Sequence, residues 1–588
     1  MKTSLNHTYK VIGVCLLLGS LAIASCKKSR NEPIQETPVI TPPNTGTIIP
    51  PKEVTTATTV GFFLDNWEGK TFVAPSFVDA AKPTGAAAIT ISADYSETVG
   101  KVSKYLFGNN SNPYIGQLGN EATLINHVKN LSPNIIRFPG GNISSVFFFN
   151  ANTGQKPDDA PATLYNTSGA PVNAGYWYGK NTASWTFSVD SYYSFLQQTN
   201  STGIITVNYS YARYGTSAHP DQVAAHLAAD WVRFDKGKTK YWEIGNEDAG
   251  PWQAGYKINT ATNKDGQPEI INGALYGKHF KVFADSMRKA AAEIGATIKI
   301  GGQLIQYDAS VGNSNVVDKA WNSGFLSAAG NTADFYIVHT YYTPYAQNSS
   351  ATVILNTAVT ESKMIMDYMK KNTQENGVAL KPIAMTEWNI FAEGSKQQVS
   401  HIAGMHASMV LGELIKNNYG MASRWDLANG YAGGNDHGMF SLGDEGNGTT
   451  KWTPRPAFYH MYYFQKIFGD RMVSSNVSGS TDVVSYASGY ASGAAGIVVV
   501  NKGTVSQVAA INIANFAPGA RYYYYTLTGG DDNGEFSQKV FINDNGPTGV
   551  SGGPANYQTL TAKSALVDGG IKVSLPARSV VFIAVGKK

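Results

Sequence analysis

Two glutamates in the 588-residue chain fall where a strand would hand a side chain to a loop. Glu247 closes the stretch Tyr241-Trp242-Glu243-Ile244-Gly245-Asn246-Glu247, and Glu387 lies in Ala384-Met385-Thr386-Glu387-Trp388-Asn389. Each stretch begins as a short run of apolar or aromatic residues and ends in polar ones, the pattern of a buried strand leaving its sheet. Carboxylates held on two different strands of one sheet can divide a reaction between them. One stays protonated and delivers a proton to a departing oxygen, while the other is ionised and attacks or supports the carbon left behind. That division is what hydrolysis of a glycosidic bond requires.

The elements that must position these groups follow from the periodicity. Eight short β-rich runs occur between Tyr105 and Gly469: Tyr105–Phe107, Asn134–Phe138, Ile204–Asn208, Tyr241–Asn246, Ile298–Gly301, Phe335–His339, Ile383–Trp388 and Ala422–Leu427. Amphipathic helices fall between or after them at His219–Phe234, Gly277–Ile294, Gln398–Asn418 and Pro456–Phe468. Eight βα repeats predict an α/β chain with a (β/α)8 TIM barrel over residues 101–470, whose functional groups sit at the C-terminal strand edges. From residue 471 to 588 the pattern becomes pure alternation broken by Gly, Asn, Asp and Pro, predicting an all-β sandwich. The segment 59–100 contains the alternating run Ala88–Ser92 and is expected to lend that sandwich a strand. A strand shared in this way makes a structural role for the sandwich the expectation, with sugar binding as the alternative.

Several further stretches carry a resemblance. Ile89-Thr90-Ile91 precedes Tyr105-Leu106-Phe107-Gly108, and Arg137-Phe138-Pro139-Gly140-Gly141-Asn142 follows on the second strand. Gly250-Pro251-Trp252-Gln253 comes after Glu247, and His339-Thr340-Tyr341-Tyr342 ends the sixth strand. In this order, with Gly245-Asn246-Glu247 and Thr386-Glu387-Trp388-Asn389, they resemble the clan A retaining glycoside hydrolases, and most closely family 51, the α-L-arabinofuranosidases. The resemblance implies that Glu247 is the general acid/base, Glu387 the nucleophile and Asn246 a partner of the sugar 2-hydroxyl. It also implies that Arg137 and Tyr341 flank Glu387 and favour its ionised form, and that Asn142 and His339 line the same pocket. Trp252, Trp388 and Trp425 could offer stacking faces to sugar. No cofactor is implied.

The chain departs from that family after Gly108. There the family places a glutamate that grips the furanose, whereas this chain reads Asn109-Asn110-Ser111-Asn112-Pro113, leaving Asn112 or a neighbour to make a weaker, neutral contact. The eighth strand, Ser423-Arg424-Trp425-Asp426, and the loop Gly430–Phe440 also differ, and a tryptophan at that edge is more typical of clan A families acting on pyranosides. Glu243, on the same strand face as Glu247 but two residues deeper, is expected to pair with an arginine rather than to catalyse. Asp426, Asp436 and His437 lack recognisable ligand spacing, so substrate contact is expected there and metal binding is not.

Composition narrows the alternatives. The 46 Lys and Arg against 42 Asp and Glu give a net charge of +4 without a basic stripe, so no nucleic-acid partner is expected. Two cysteines exclude a disulfide framework or a thiolate metal cluster. Residues 1–25 read as a lipoprotein signal peptide, with Lys2 and Lys10, the apolar run Val11–Ala24 and a lipobox-like ending at Cys26, the expected lipidation site. Residues 26–58 are a Pro/Thr-rich tether carrying Pro33, Pro38, Pro42, Pro43, Pro50 and Pro51. The expectation is therefore an enzyme of the bacterial cell envelope, lipid-anchored, acting on plant or algal polysaccharide or its oligosaccharides. An endo-β-glycanase of agarase, xylanase or glucanase type is the alternative within the clan. A non-catalytic carbohydrate-binding lipoprotein is the alternative outside it, and such a protein would need neither Glu247 nor Glu387.

Overall fold

The computed structural model describes residues 47–588 apart from 133, 311–313, 346, 392–395, 434–435 and 531. The expected signal peptide, most of the expected tether and Cys26 lie outside the described residues. Among those described, no helix is long and apolar enough to cross a membrane.

Eight parallel strands close into a barrel in sequence order: β1 Gly108–Asn110, β2 Ile135–Phe138, β3 Thr202–Val207, β4 Tyr241–Ile244, β5 Lys299–Gln303, β6 Phe335–Tyr341, β7 Ile383–Asn389 and β8 Met421–Arg424. This is the TIM-type architecture expected from the periodicity. Seven of the eight strands overlap the runs read from sequence, and the first does not. Tyr105–Phe107 was expected as a strand, but Lys104–Leu106 form a 3-10 turn, because the Ser103 hydroxyl caps it by accepting from the Tyr105 amide at 3.2 Å. β1 is instead the three residues Gly108-Asn109-Asn110, none of them a strand former. Its place is set by closure. It bridges β8 and β2, and a Cβ on Gly108 would stand 2.3 Å from the Ala422 carbonyl oxygen, so only glycine permits the approach.

The barrel floor is plugged from the N-terminal side. The 3-10 turn Gly61–Leu64 inserts Phe63, whose ring lies 5.2 Å from that of Tyr241 and 5.6 Å from that of Phe335, within a cluster that includes Ile135, Ile204 and Met421. The segment 59–100 thus seals the end of the barrel opposite the C-terminal strand edges and then joins the β-domain, first through Phe77–Asp79 and next through the strand Ile89–Lys101. Helix starts follow local caps. Gly273–Glu293 begins four residues before the apolar pattern read at Gly277, because the Asn272 side chain accepts from the Leu275 amide at 2.9 Å.

The β-domain is one hydrogen-bonded path of ten strands with an eleventh, Phe541–Ile542, paired at its side. Ile89–Lys101 runs antiparallel to Arg471–Ser478 and parallel to Gln507–Ala514, joining the start of the described chain to its end. The sheet curls so that the Gln507–Ala514 and Ile571–Leu575 end faces Ala495–Asn501 and Ser579–Lys587. Ile89, Ile91, Ile511 and Val573 share one core with Ile497, Val499, Val581 and Ile583. The sandwich is therefore made by a single folded sheet.

Candidate active site

The C-terminal edges of β4 and β7 bring the two glutamates together. Beyond Ile244 the chain leaves β4 through Gly245 at φ +80°, where a Cβ would stand 2.0 Å from Asp248 Oδ2. Glycine is required there. Glu247 itself adopts φ +47°, a left-handed conformation costing an L-residue on the order of 1 kcal/mol or more, held by the contacts of its side chain. Its Oε2 accepts from Trp252 Nε1 at 2.9 Å and its Oε1 lies 3.0 Å from His339 Nδ1. Glu387 stays within β7, wholly buried but for a few per cent of its side chain. It accepts from the Tyr341 hydroxyl at 2.6 Å and from Arg137 Nη1 at 3.2 Å. His339 stands between the two, with Nε2 3.1 Å from Thr386 Oγ1 and Nδ1 3.7 Å from Glu387 Oε2.

Arg137, at the edge of β2, ties four strand ends together. Its Nε donates to Glu243 at 2.5 Å, its Nη1 also to Asn110 Oδ1 at 2.9 Å, and its Nη2 to Asn246 Oδ1 at 2.8 Å. Glu243 also accepts from the Thr206 hydroxyl at 2.8 Å, so it compensates the buried guanidinium from below while Glu387 does so from above.

Burial lifts the Glu387 carboxyl above the usual carboxylate range, with the charge of Glu247 adding to the effect and His339, Arg137 and Tyr341 opposing it. Burial acts on Glu247 in the same sense, but the His339 and Trp252 hydrogen bonds and the Arg137 charge outweigh it and hold that carboxyl below the range. The two carboxyls are thus shifted in opposite directions. The Arg137 charge and the Tyr341 hydrogen bond favour the ionised form of Glu387, and burial outweighs them. The Tyr341 hydroxyl is raised well above its ordinary value by burial and by Glu387, so it remains a donor.

One ligand atom from each of Glu247, His339 and Glu387 can be chosen so that all lie within 4.8 Å of one another, and among the described residues this trio could hold a metal ion. Its carboxylate oxygens, however, already accept from Arg137, Tyr341 and Trp252. The residues after β8 do not converge as ligands. Asp436 pairs with Arg455 Nη1 at 2.5 Å, and Asp426 accepts from Asn112 at 2.5 Å and Asn429 at 3.2 Å. The His437 ring packs edge-on to Tyr341, and burial holds its imidazole down at about 3.

Four residues expected to touch sugar do not line the cleft described below. Trp388 is completely buried, since its neighbour Glu387 points inward and strand alternation turns the indole to the helix layer, so it offers no stacking face. Asn142 is exposed on the 3-10 turn Gly141–Val146 and is not among the residues lining the cleft described below. Asn112 is fully buried, its amide spent on Asp426. The half-buried Trp425 lies over Gly140 and Gly141, where a Cβ on Gly141 would meet its ring at 2.5 Å. Of the three tryptophans expected to stack on sugar, Trp252 is the most exposed, at 53%.

From Glu247 a cleft of about 820 Å3 extends over the edges of β5 and β6, past Trp252, Gln303, Tyr307 and Tyr345, reaching Tyr341 and Phe391. Sequence reading missed Asn110, Thr386, Gln303, Tyr307 and Tyr345. Asn110 and Gln303 are strand-edge residues that the same edge rule would have found had β1 and β5 been given their true ends.

Residues 127–353 match the family model of the alpha-L-arabinofuranosidase 1 domain. No curated relative matches the chain by sequence. Among solved structures the chain is similar to an α-L-arabinofuranosidase from Thermotoga maritima determined with arabinose, at 17% identity and TM-score 0.58 over 84% of this chain and 99% of that one. It is likewise similar to a family 51 α-L-arabinofuranosidase from Bifidobacterium longum, at 16% identity and TM-score 0.57 over 85% and 100%. A family 44 xyloglucanase from Paenibacillus polymyxa shares the fold at 13% identity and TM-score 0.54, over 85% and 100%. The family match thus covers the barrel from before β2 to beyond β6, and the likeness in fold covers both domains.

Proposed function

We propose that the chain is a retaining, α-L-arabinofuranosidase-like glycoside hydrolase acting on plant or algal polysaccharide or its oligosaccharides, with Glu387 as nucleophile and Glu247 as acid/base. The observation that carries the reading is the approach of the two carboxylates, with oxygens within 4.8 Å. Direct attack needs carboxyl groups about 5–5.5 Å apart, whereas an inverting pair stands about 6.5–9.5 Å apart to admit a water.

In the first step a Glu387 oxygen bonds to the anomeric carbon as the bond to the leaving oxygen breaks, and Glu247 gives that oxygen its proton. In the second step water attacks the same carbon, Glu247 takes the water's proton, and the bond to Glu387 breaks. Arg137 and the Tyr341 hydroxyl fix the Glu387 rotamer and receive its charge again when it leaves. The first step needs Glu247 protonated and Glu387 ionised, and the positive charge that develops at the anomeric carbon as the leaving bond breaks favours that placement of the pair's proton. His339, in reach of both carboxylates, holds them in register.

The direct test is stereochemical. Proton NMR of the first-formed product from an aryl α-L-arabinofuranoside should show retained configuration, and an inverted first product would refute the mechanism. A second reading, an endo-β-glycanase, is favoured by the fold shared with the xyloglucanase. Release of oligosaccharides from a β-linked polymer with negligible aryl arabinofuranoside cleavage would select it.

The lipobox-like ending at Cys26 supports a lipid-anchored position in a bacterial envelope. Expressed in a host with lipoprotein processing, the wild type should sediment with membranes and Cys26→Ala should not. Retention of the variant in membranes after a high-salt wash would disprove the anchor.

A further inference from the structure

A proton donor must meet the leaving oxygen within hydrogen-bond reach, and a displacement of about 1 Å costs on the order of a hundredfold in rate. The bonds from Trp252 and His339 hold the Glu247 carboxyl, but they do not account for its backbone at φ +47°. A residue with a Cβ is strained in that region and stays there only where its surroundings over-determine it. The next residue supplies the constraint. Asp248 is 1% exposed and is fixed on both sides of Glu247. Its carboxyl accepts from the Asn246 amide, one residue before Glu247, and from the Ser210 hydroxyl at 3.4 Å, beyond the end of β3. Its own amide, one residue after Glu247, donates to Gln303 Oε1 on β5 at 3.3 Å. The other carboxyl oxygen, Oδ2, has no hydrogen-bond partner and lies against Gly245, in the space that any other residue there would fill with its Cβ. The turn at Gly245 and the seat of the Asp248 carboxyl are thus fitted to each other.

The fit is one of shape. Among the described residues the carboxyl is bonded by a hydroxyl and an amide, and no cation bonds to it. Arg213, whose charge reaches it, spends its guanidinium on oxygens of Gly255, Gln267, Pro268 and Glu269. A carboxylate buried with two neutral donors and an unmet oxygen is costly. Burial, with the Glu247 charge acting in the same sense, accordingly pushes the Asp248 carboxyl well above the usual carboxylate range, against the Ser210 and Asn246 bonds and the Arg213 charge.

We propose, on the reading of Glu247 as the acid/base, that Asp248 is its positioning residue. The shape of the Asp248 carboxyl, wedged between Gly245, the Asn246 amide and Ser210, holds Glu247 in the left-handed conformation that points it at the leaving oxygen. Asp248 acts through Glu247, and its form matters rather than its charge.

Dependence on the leaving group separates positioning from support of the fold. The probe is a series of aryl glycosides, of the sugar the wild type cleaves, whose phenols differ in pKa. Asp248→Ala removes the wedge and the acceptor for the Asn246 amide. Its kcat/KM should fall about a hundredfold on the poorest leaving groups and no more than about threefold on the most activated. Asp248→Asn keeps the shape and an acceptor without the charge, and should stay within about threefold of the wild type across the series. A residue that only supported the fold would lower every substrate alike, together with Tm. Should Asp248→Ala not fold, Asp248→Ser, which leaves a hydroxyl for the buried partners, takes its place. Equal loss on all substrates or no loss in the truncated variant, or an Asp248→Asn protein as impaired as it, would overturn the positioning role. Glu247→Ala is measured beside them. A steep dependence there with none in Asp248→Ala refutes the role of Asp248 alone, whereas no dependence in Glu247→Ala brings down the acid/base reading itself.

Discussion

Glu387→Ala is expected to abolish turnover, lowering kcat by about four orders of magnitude or more, while leaving the fold in place. The first step forms a bond to this carboxylate, and the other groups at the site cannot replace it. Glu247 faces the leaving oxygen, and His339 is tied to Glu247 and Thr386. The substitution also leaves no buried charge stranded, because Arg137 keeps Glu243 at 2.5 Å and its bonds to Asn110 and Asn246. A variant that ended the Arg137–Glu243 pair would be another matter, since a buried guanidinium without its counter-charge costs about 3–5 kcal/mol. Glu387→Gln provides the shape-preserving control. Its one carbonyl oxygen can accept from Tyr341 or from Arg137 but not from both, because those donors reach different oxygens of Glu387, and it should be equally inactive. Circular dichroism and thermal unfolding establish that each variant is folded, and single-turnover assays on an aryl arabinofuranoside measure the loss. A folded Glu387→Gln protein with near wild-type rate would remove Glu387 from the nucleophile role.

The glutamates were legible in the sequence because a barrel delivers function at strand ends, and two strand ends with unusual carboxylates are recognisable from eight or so residues each. Arg137, Asn246, His339 and Tyr341 came with the resemblance to family 51, and all four make contacts in the cluster around the two glutamates. β1 was not legible. Gly108-Asn109-Asn110 has no strand propensity and becomes a strand only because β8 and β2 leave a gap for it, a condition that exists only once the barrel has closed. The apolar run just before it read as the strand and instead helps pack the floor, with Tyr105 edge-on to Phe63. The pairing of Asn112 with Asp426 joins residues 314 positions apart, and nothing local announces it. Trp388 is a different case. Alternation along β7 turns Trp388 away from the face of Glu387, so its burial was available to reasoning from the strand period alone. Tyr307 and Tyr345 lie in loops, where sequence does not say which way the chain turns; their open faces are a property of the assembled cleft.

Glu247→Ala should fail in a way that depends on the substrate, and that dependence separates an acid/base from a nucleophile. Glycosides with poor leaving groups need protonation and should slow by about 10^2–10^4-fold. An aryl glycoside with an activated leaving group departs unaided, so its first step should be nearly unaffected and the glycosyl-enzyme should accumulate. Azide, which needs no base to attack, should then restore the rate and yield a glycosyl azide. The pH profile should change shape as well. In the wild type, the raised Glu387 and lowered Glu247 carboxyls separate the two proton losses of the pair. The singly protonated form therefore spans the ordinary glutamate value of 4.5 on both sides. kcat/KM should fall as pH drops and the second proton is added, and fall again as pH rises and the last is lost. With Glu247 gone, only ionisation of Glu387 matters for an activated substrate. The alkaline limb should vanish, and the acid limb should report Glu387 alone, at a lower pKa than in the wild type because the neighbouring charge that raised it has been removed. Indole contact is lost in the same step, since Trp252 Nε1 donates to Glu247, so Trp252→Phe serves as the control: it should weaken binding yet keep both limbs of the profile. A Glu247→Ala protein that loses equal rate on both classes of substrate, ignores azide and retains a bell-shaped profile would show that the proton comes from elsewhere.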